Sequence, residues 1–228
     1  MPVKDAPIKA AIEKAIDGKK RGRKKVISMV QRTHSFSQSS IRRVYENNGW
    51  PLFHKPRKRR FNHPSNPIIR TLKPNEEWAM DFMIDSLENG RMIKSLNIID
   101  HFNLECKGIH IHHSIPATKL IKILEQVIES YGKPKRIRTD NGPEFTSKLF
   151  QDWLHNNGIE WSKIQKGKPQ QNAISERFNR TMRDELFDRN LFWNLEQANE
   201  MAEETRIEYN SARPHESLGN KTPLEYAA

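Results

Sequence analysis

From residue 76 onward, the spacing of apolar residues alternates between the period of strands and the period of helices. Three β-like segments, EWAMDFMI, MIKSLNIID and LECKGIHIHH, follow one another at hairpin distances. A helical stripe then runs from Leu120 to Ile128, and two further strand-like runs, KRIRTD and IEWSKI, are separated by a helical one. This order predicts an α/β protein built on a mixed sheet.

The remaining long apolar patterns have helical spacing. The segment PEFTSKLFQDWLHNNG is predicted to form one helix, and two more helices are predicted over NAISERFNRTMRDELFD and NLEQANEMAEETRIEYN. The order β-β-β-α-β-α-β-α resembles the ribonuclease-H-like fold, a mixed sheet flanked by helices.

Positive charge is concentrated in the N-terminal third. Residues 1–75 carry nineteen Lys or Arg against four acids, whereas residues 76–228 carry twenty against twenty-four, which together give the net charge of +11. A basic region of this kind suits the phosphate backbone of DNA, although a solvated basic tail would have the same composition. We therefore place a domain boundary near residue 75.

The N-terminal third divides into two parts. Residues 1–49 show three short amphipathic patterns, which predict a small all-helical, helix-turn-helix-like DNA-binding region, with serines at 37, 39 and 40 available to cap the third helix. Residues 50–75 are predicted to be a basic, proline-rich linker. Residues 76–228 form the predicted catalytic core with its C-terminal helices. The basic residues expected to contact DNA in the N-terminal third are Arg42, Arg43, Lys55, Arg57, Lys58, Arg59 and Arg60.

Several classes of protein are disfavoured by composition. No apolar stretch approaches the roughly 20 residues that span a bilayer, and the N-terminus lacks the apolar core of a signal peptide. We therefore expect a cytoplasmic protein without a membrane partner. The single cysteine, Cys106, excludes an intrachain disulfide framework and a zinc site built on paired cysteines.

Three acidic residues form the candidate catalytic and metal-binding site. Asp81 lies in the middle of a strand-like run, on the opposite face from Trp78 and Phe82, while Asp140 ends a strand just before an Asn-Gly turn. Glu176 faces away from the apolar stripe of its helix. Clustered carboxylates repel one another unless a hard divalent ion with oxygen ligands joins them, and such sites commonly perform phosphoryl chemistry on polynucleotides.

Each acid also has a purely structural interpretation. An Asp before Asn-Gly commonly forms the turn, and a Glu early in a helix stabilises the helix dipole. Asp81 is harder to explain in this way, because aspartate is disfavoured inside strands. Asp85 and Asp100 also end apolar runs, and Asp100 is the best substitute. The late-helix acids are expected to form a solvated face; they are Asp184, Glu185 and Asp188.

Several motifs together resemble one family. WAMDFMID, NIIDHF, IRTDNGPEF, GKPQQNA, ISERFNRTMRDEL and YNSARPHESLGNKTPLEY look like the core of bacterial insertion-sequence transposases of the DDE type, with a core similar to retroviral integrase. The spacing agrees, because thirty-five residues separate Asp140 from Glu176 and a basic residue, Arg183, lies seven after the glutamate. The chain most resembles second-frame (OrfB-like) products.

The resemblance implies a mechanism and a set of partners. Asp81, Asp140 and Glu176 would hold two Mg²⁺ (or Mn²⁺) ions for cleavage and strand transfer at the element's DNA ends. Transposon ends and target DNA are the implied substrates, handled by a homo-oligomer on DNA, with a first-frame partner or fusion. Arg183 is expected to contact DNA, as are the loop residues Lys166, Lys168, Gln170 and Gln171, for which a plain surface loop is the alternative. The resemblance alone marks YNSARPHESLG as characteristic, and we assign that motif no catalytic role.

Two other functional classes are compatible with these residues. One is a metal-dependent nuclease of ribonuclease-H type, and the other is a DNA-binding protein without catalysis. Joined DNA products would distinguish a transposase from a nuclease, and metal-dependent cleavage would distinguish either enzyme from a simple binder.

Overall fold

The computed structural model describes residues 5–18, 21–51, 71–165 and 169–228. The predicted linker therefore lies mostly outside the described residues. Among the described residues, no helix combines the length and the apolar character that crossing a bilayer requires.

The N-terminal region is a three-helix unit with its own apolar core. Its helices are α1 (Ala6–Ile16), α2 (Arg23–Thr33) and α3 (Gln38–Asn47). The side chains of Ile12, Val26 and Ile41 are fully buried where the three apolar stripes meet. Ser37 caps α3 by accepting a hydrogen bond from the Ser40 backbone N–H at 3.2 Å. The three predicted helices are confirmed, and the other two predicted capping serines lie inside α3.

The C-terminal two-thirds is built on a five-stranded mixed sheet, as predicted. The spatial order of the strands is β3-β2-β1-β4-β5. The first three strands are antiparallel neighbours, and β4 and β5 add to β1 in parallel. The strands are β1 (Glu77–Ser86), β2 (Met92–Asp100), β3 (Cys106–His112), β4 (Arg136–Thr139) and β5 (Glu160–Lys163).

Helices cover both faces of this sheet. They are α4 (Ala117–Tyr131), α5 (Pro143–Thr146), α6 (Lys148–Asn156), α7 (Ala173–Glu185), α8 (Leu195–Ser211) and α9 (Pro223–Ala227). The prediction of a single helix over PEFTSKLFQDWLHNNG is wrong. Ser147 adopts an extended conformation and divides this segment into α5 and α6. The Ser147 hydroxyl then caps α6, accepting from the Phe150 N–H at 3.3 Å.

Alternation along β1 separates two apolar cores. Trp78 and Met80 pack on one face of the sheet with α4 and α6. Ala79 and Met83 pack on the other face, where Phe178 and Met182 of α7 cover them together with residues of α8. Asp81 shares the face of Ala79 and Met83, so its side chain points towards α7.

The three-helix unit rests against the C-terminal segment of the core. Arg21 forms an ion pair with Glu208 of α8, and Arg32 of α2 forms one with Glu225 of α9. Arg32 also donates to the backbone oxygen of Asn220 at 3.1 Å. These contacts place α2 next to the residues that follow α8.

Candidate active site

The strand register brings Asp81 and Asp140 to neighbouring positions. In the parallel pair of β1 and β4, Ala79 lies opposite Arg138. Asp81 and Asp140 each follow that pair by two residues, so they extend from the same face of adjacent strands. Because neighbouring strands are about 4.8 Å apart, this register alone makes the two carboxylates neighbours.

The turn after β4 fixes the Asp140 side chain. Its Oδ1 atom accepts a hydrogen bond from the Gly142 N–H at 2.9 Å. A Cβ atom at residue 142 would lie 3.1 Å from the same oxygen, so glycine allows this close approach. The turn-forming role considered for Asp140 is therefore real, and it leaves the other carboxylate oxygen available.

Glu176 enters the site from the first turn of α7. Its side chain is exposed, whereas Phe178 on the same helix is buried in the core. The negative charges of Asp140 and Glu176 both raise the pKa of Asp81, so the three carboxylates share one electrostatic environment. The three predicted acids thus converge on one face of the sheet.

Asp81 is the most constrained of the three acids. Its Oδ1 atom accepts from the Phe82 N–H at 2.9 Å, and its Oδ2 atom accepts from the side-chain amides of Asn172 at 3.1 Å and Asn179 at 3.0 Å. Burial, opposed by these hydrogen bonds and reinforced by Asp140 and Glu176, raises the pKa of Asp81 to about 6. The apolar neighbourhood predicted for Asp81 is therefore partly polar.

The donor chemistry of the site fits a hard divalent cation. All three side chains offer carboxylate oxygens, and none of the three forms an ion pair with a described Lys, Arg or His. In the side-chain conformations seen here, however, no group of three His, Cys, Asp or Glu among the described residues is arranged around one ion position. Binding a cation would therefore require these side chains to turn, with Asp81 exchanging an amide hydrogen bond for the metal.

A series of hydrogen-bonded polar side chains from β2 and α7 leads to the Asp81 carboxylate. The Ser95 hydroxyl donates to Asn97 at 2.8 Å, and the Asn97 amide donates to Asn179 at 2.7 Å, which in turn donates to Asp81. Asn97 lies directly opposite Asp81 in the antiparallel register and is buried. Buried amides persist when they are hydrogen-bonded, so this series fixes the orientation of the carboxylate. Sequence reasoning missed these residues; their signal was a polar pair inside the apolar run SLNIID.

Removing the Asn172 amide should raise the pKa of Asp81 further. In Asn172→Ala the carboxylate loses a donor that stabilises its charged form, and we expect its midpoint to rise above 6 by about one pH unit. A titration of the Asp81 carboxyl carbon by NMR, without divalent cations, measures this. Asn156→Ala, at an exposed position on α6, is the matched control and should leave the midpoint unchanged.

Comparisons with known proteins identify the family. Two models described as "Integrase core domain" match residues 71–169 and 157–223. A protein of insertion element IS407 from Burkholderia multivorans is 34% identical over 219 residues, covering 95% of this chain and 79% of that protein. The chain belongs to the insertion-element transposases with an integrase core.

Two further comparisons support the assignment and set its scope. A protein of insertion element IS476 from Xanthomonas euvesicatoria is 37% identical over 194 residues, or 85% of this chain, yet the chain spans only 56% of that protein's length. The HTLV-2 integrase catalytic core, solved in complex with magnesium, shares the fold with a TM-score of 0.55 and 23% identity, covering 70% of this chain and 100% of that one. The ribonuclease-H-like fold predicted from the sequence, a mixed sheet flanked by helices, is therefore confirmed.

The structure gives Arg183 of this transposase chain a partner within the protein. Its guanidinium forms an ion pair with Asp85 and donates to the Ile84 backbone oxygen at 2.8 Å. The DNA contact predicted for Arg183 would require the side chain to leave Asp85, and it stays a prediction.

The predicted DNA-contact loop is only partly described. Lys166 and Lys168 lie outside the described residues, as does the side chain of Gln170. Gln171 is described, and its side-chain oxygen accepts from the Gln165 N–H at 3.0 Å, so it joins the two ends of this loop. A DNA contact by Gln171 would require the loop to release that bond.

The basic residues of the N-terminal third have varied positions. Arg42 and Arg43 are exposed on α3, where Arg42 donates to Glu46 at 3.1 Å and Arg43 forms two hydrogen bonds to Asp5, at 2.8 and 2.7 Å. The predicted linker contacts lie outside the described residues; they are Lys55, Arg57, Lys58, Arg59 and Arg60.

Two of the other acids, Asp100 and Glu185, are buried. Asp100 is fully buried and accepts hydrogen bonds from the backbone N–H groups of Asn75 and Phe102, so it organises the end of β2. It lies opposite Trp78 in the strand register, on the other face of the sheet from Asp81. The prediction that the late-helix acids are exposed to solvent is wrong for Glu185. Its side chain is buried and forms an ion pair with Arg213, because this side of α7 packs on the chain after α8.

The C-terminal YNSARPHESLG motif braces the sheet and α7. The Asn210 side chain accepts from the Cys106 N–H at 2.8 Å and donates to the Cys106 oxygen at 2.9 Å, which satisfies part of the edge strand β3. Tyr209 packs edge-to-face on Phe178 of α7, with ring centroids 5.0 Å apart. The motif thus supports the helix that carries Glu176.

Proposed function

We propose that this chain cuts and joins DNA at the ends of an insertion element, using Asp81, Asp140 and Glu176. The observation that carries the proposal is the register of β1 and β4, which sets two aspartates side by side facing the helix that carries a glutamate. The likeness to the magnesium-bound HTLV-2 core and the family membership support the same chemistry.

The three carboxylates would hold Mg²⁺ or Mn²⁺, two ions in the expected arrangement. When bound, these ions supply charge stabilisation to the attacking and leaving oxygens of a phosphodiester. Asp81 would be the central ligand. It lies on β1, the strand between β2 and β4, and its carboxylate is oriented by Asn172 and Asn179. The proposed reaction requires no covalent protein intermediate.

Other residues would position the DNA. Arg183, released from Asp85, would contact the DNA backbone near the reacting phosphate, as would the residues that precede α7 in the sequence, Lys166, Lys168, Gln170 and Gln171. The basic N-terminal third would hold DNA further away. Pairing two element ends requires a homo-oligomer on DNA or a first-frame partner; the HTLV-2 core is described in a trimeric form.

A pre-cut DNA end tests the proposed function. The full chain is incubated with a labelled duplex that carries the DNA bordering its coding frame and ends in a 3′-hydroxyl, together with an unlabelled target. With Mg²⁺ or Mn²⁺ we expect longer, joined products, and with EDTA none. Release of fragments without joining would assign a ribonuclease-H-type nuclease instead. Binding without any metal-dependent product would assign the non-catalytic class.

A further inference from the structure

A basic cleft lies between the three-helix unit and the C-terminal segment of the core. Its volume is about 620 Å³. One wall is formed by Arg23, Lys24 and Lys25 at the start of α2, and the other by the segment from Pro214 to Asn220. Of the charged residues that line it, three are positive and one, Glu216, is negative. The cleft is therefore suited to an anionic ligand.

Lys25 differs from the other cations of this wall. Arg23 pairs with Glu46, and Lys24 lies 3.6 Å from Glu216. Within residues 5–18, 21–51, 71–165 and 169–228, no carboxylate forms an ion pair with Lys25, although its side chain is partly buried. A cation removed from water without a counter-ion destabilises the fold, so an unpaired one at a cleft calls for an external anion.

The surroundings of Lys25 add further positive charge. Burial, together with the positive charges of Arg213, Arg21 and Arg177, lowers the pKa of Lys25 to about 7. Arg21 and Arg213 are paired with Glu208 and Glu185. Arg177 is exposed and, like Lys25, has no carboxylate partner in the described parts of the chain. Arg177 therefore adds unpaired positive charge that acts on Lys25, although it does not itself line the cleft.

Arg177 lies next to one residue of the candidate active site. It follows Glu176 on α7, one residue further round the helix. The two unpaired cations belong to different elements, Lys25 to α2 and Arg177 to α7. A ligand with a repeated negative charge can contact both, so it fits better than a single small anion. Polar side chains along the cleft, including Ser28, Gln31 and Gln38, offer further hydrogen bonds to phosphate oxygens.

We propose that this cleft binds the phosphate backbone of DNA, with Lys25 and Arg177 contacting phosphates on the path that leads to Glu176. The proposal rests on the proposed function for the identity of the ligand. It adds a site at the junction of the helical unit and the core, formed by residues other than those predicted to contact DNA. The cleft depends on the packing of the two units, because each of them forms one of its walls.

The salt dependence of DNA binding tests the cleft. The 228-residue chain and its Lys25→Gln variant are titrated by fluorescence anisotropy onto a duplex of arbitrary sequence, about 30 base pairs or three helical turns long, in EDTA. The pH is about 6, because Lys25, with a pKa of about 7, is then mostly protonated. If Lys25 neutralises one phosphate, the slope of log K against log salt should become less negative by about 1, whatever the sequence. Arg177→Gln should have a similar effect, and Lys122→Gln, on the exposed side of α4, should have none.

Thermal unfolding separates this role from a structural one. A lysine that only supports the fold would lower Tm when replaced. An unpaired cation kept for DNA should leave Tm of Lys25→Gln equal to or above that of the wild type. An unchanged salt slope, an equal change in Lys122→Gln, or a fall in Tm would each overturn the proposal.

The outcome is independent of catalysis. If the wild type neither cuts nor joins DNA but Lys25→Gln changes the salt slope, the proposed function fails and the cleft stands. If the wild type cuts and joins while both cleft variants bind with the wild-type slope, the cleft fails and the proposed function stands.

Discussion

Replacing Asp81 with asparagine should reduce both DNA cleavage and strand transfer by about 10³-fold or more. The variant keeps the size of the side chain but removes the carboxylate that lies between Asp140 and α7. Divalent cations contribute several kcal/mol of charge stabilisation to phosphoryl transfer, and each 1.36 kcal/mol is a factor of ten in rate. Cleavage is measured on an uncut duplex that continues past the element's end, and joining on the pre-cut duplex, each with Mg²⁺ and with Mn²⁺.

The control for this variant is Asp152→Asn, which removes a carboxylate from an exposed position on α6. It should retain both activities. If Asp81→Asn were as active as Asp152→Asn, the three acids would not form the catalytic site, and the assignment of a DDE-type enzyme to this chain would fail.

The pH dependence of stability gives a readout of Asp81 that does not depend on activity. The pKa of Asp81 is raised from 3.8 to about 6 in the folded chain. Because folding raises the pKa of Asp81, the folded chain is more stable with Asp81 protonated than with Asp81 ionised. The free energy of unfolding therefore decreases as pH increases from 3.8 to about 6. The loss corresponds to roughly 3 kcal/mol at most. In Asp81→Asn, the free energy of unfolding should not show this decrease. Urea unfolding at a series of pH values, without divalent cations, measures it.

Much of the scaffold could be predicted because its elements follow simple periods. Alternation in EWAMDFMI places Asp81 opposite the face of Trp78, and the structure confirms that separation into two cores. The position of Asp140 at the end of its strand, where open α/β sheets bind ligands, was also accessible from the sequence. Asp81 lies in the middle of β1, and the register of β1 with β4 places it beside Asp140. These are properties of local pattern and of topology.

Contacts made by single polar side chains could not be predicted in the same way. Asn97 and Asn179 are far apart in the chain, and only the strand register and the position of α7 bring them together with Asp81. Ser147 breaks a helix that the apolar stripe continues through. Glu185 resembles the other late-helix acids, Asp184 and Asp188, in sequence, and its burial depends on Arg213, which lies beyond another helix.

Replacing Arg213 with methionine should destabilise the chain by about 3–5 kcal/mol. The side chains of Arg213 and Glu185 are both largely buried, so the variant leaves a carboxylate at the end of α7 without its cation. Arg213 also lies over the ring of Tyr209, which packs on Phe178, so the loss affects the contact between α7 and the C-terminal motif. Urea unfolding measures the effect, with Lys9→Met as the control. Lys9 pairs with Glu13 on the surface of α1, and breaking that pair should cost less than about 1 kcal/mol.

The double variant Arg213→Met with Glu185→Leu decides what the ion pair does. If the cost of Arg213→Met comes from the unpaired carboxylate, removing Glu185 as well should recover most of the lost stability, because well-packed apolar residues can replace a buried pair. Recovery of stability with reduced strand transfer would mean that the pair sets the position of α7 and hence of Glu176. Recovery of both would limit its role to stability. A double variant no more stable than Arg213→Met would contradict the coupling and leave the packing of Arg213 on Tyr209 as the source of the loss.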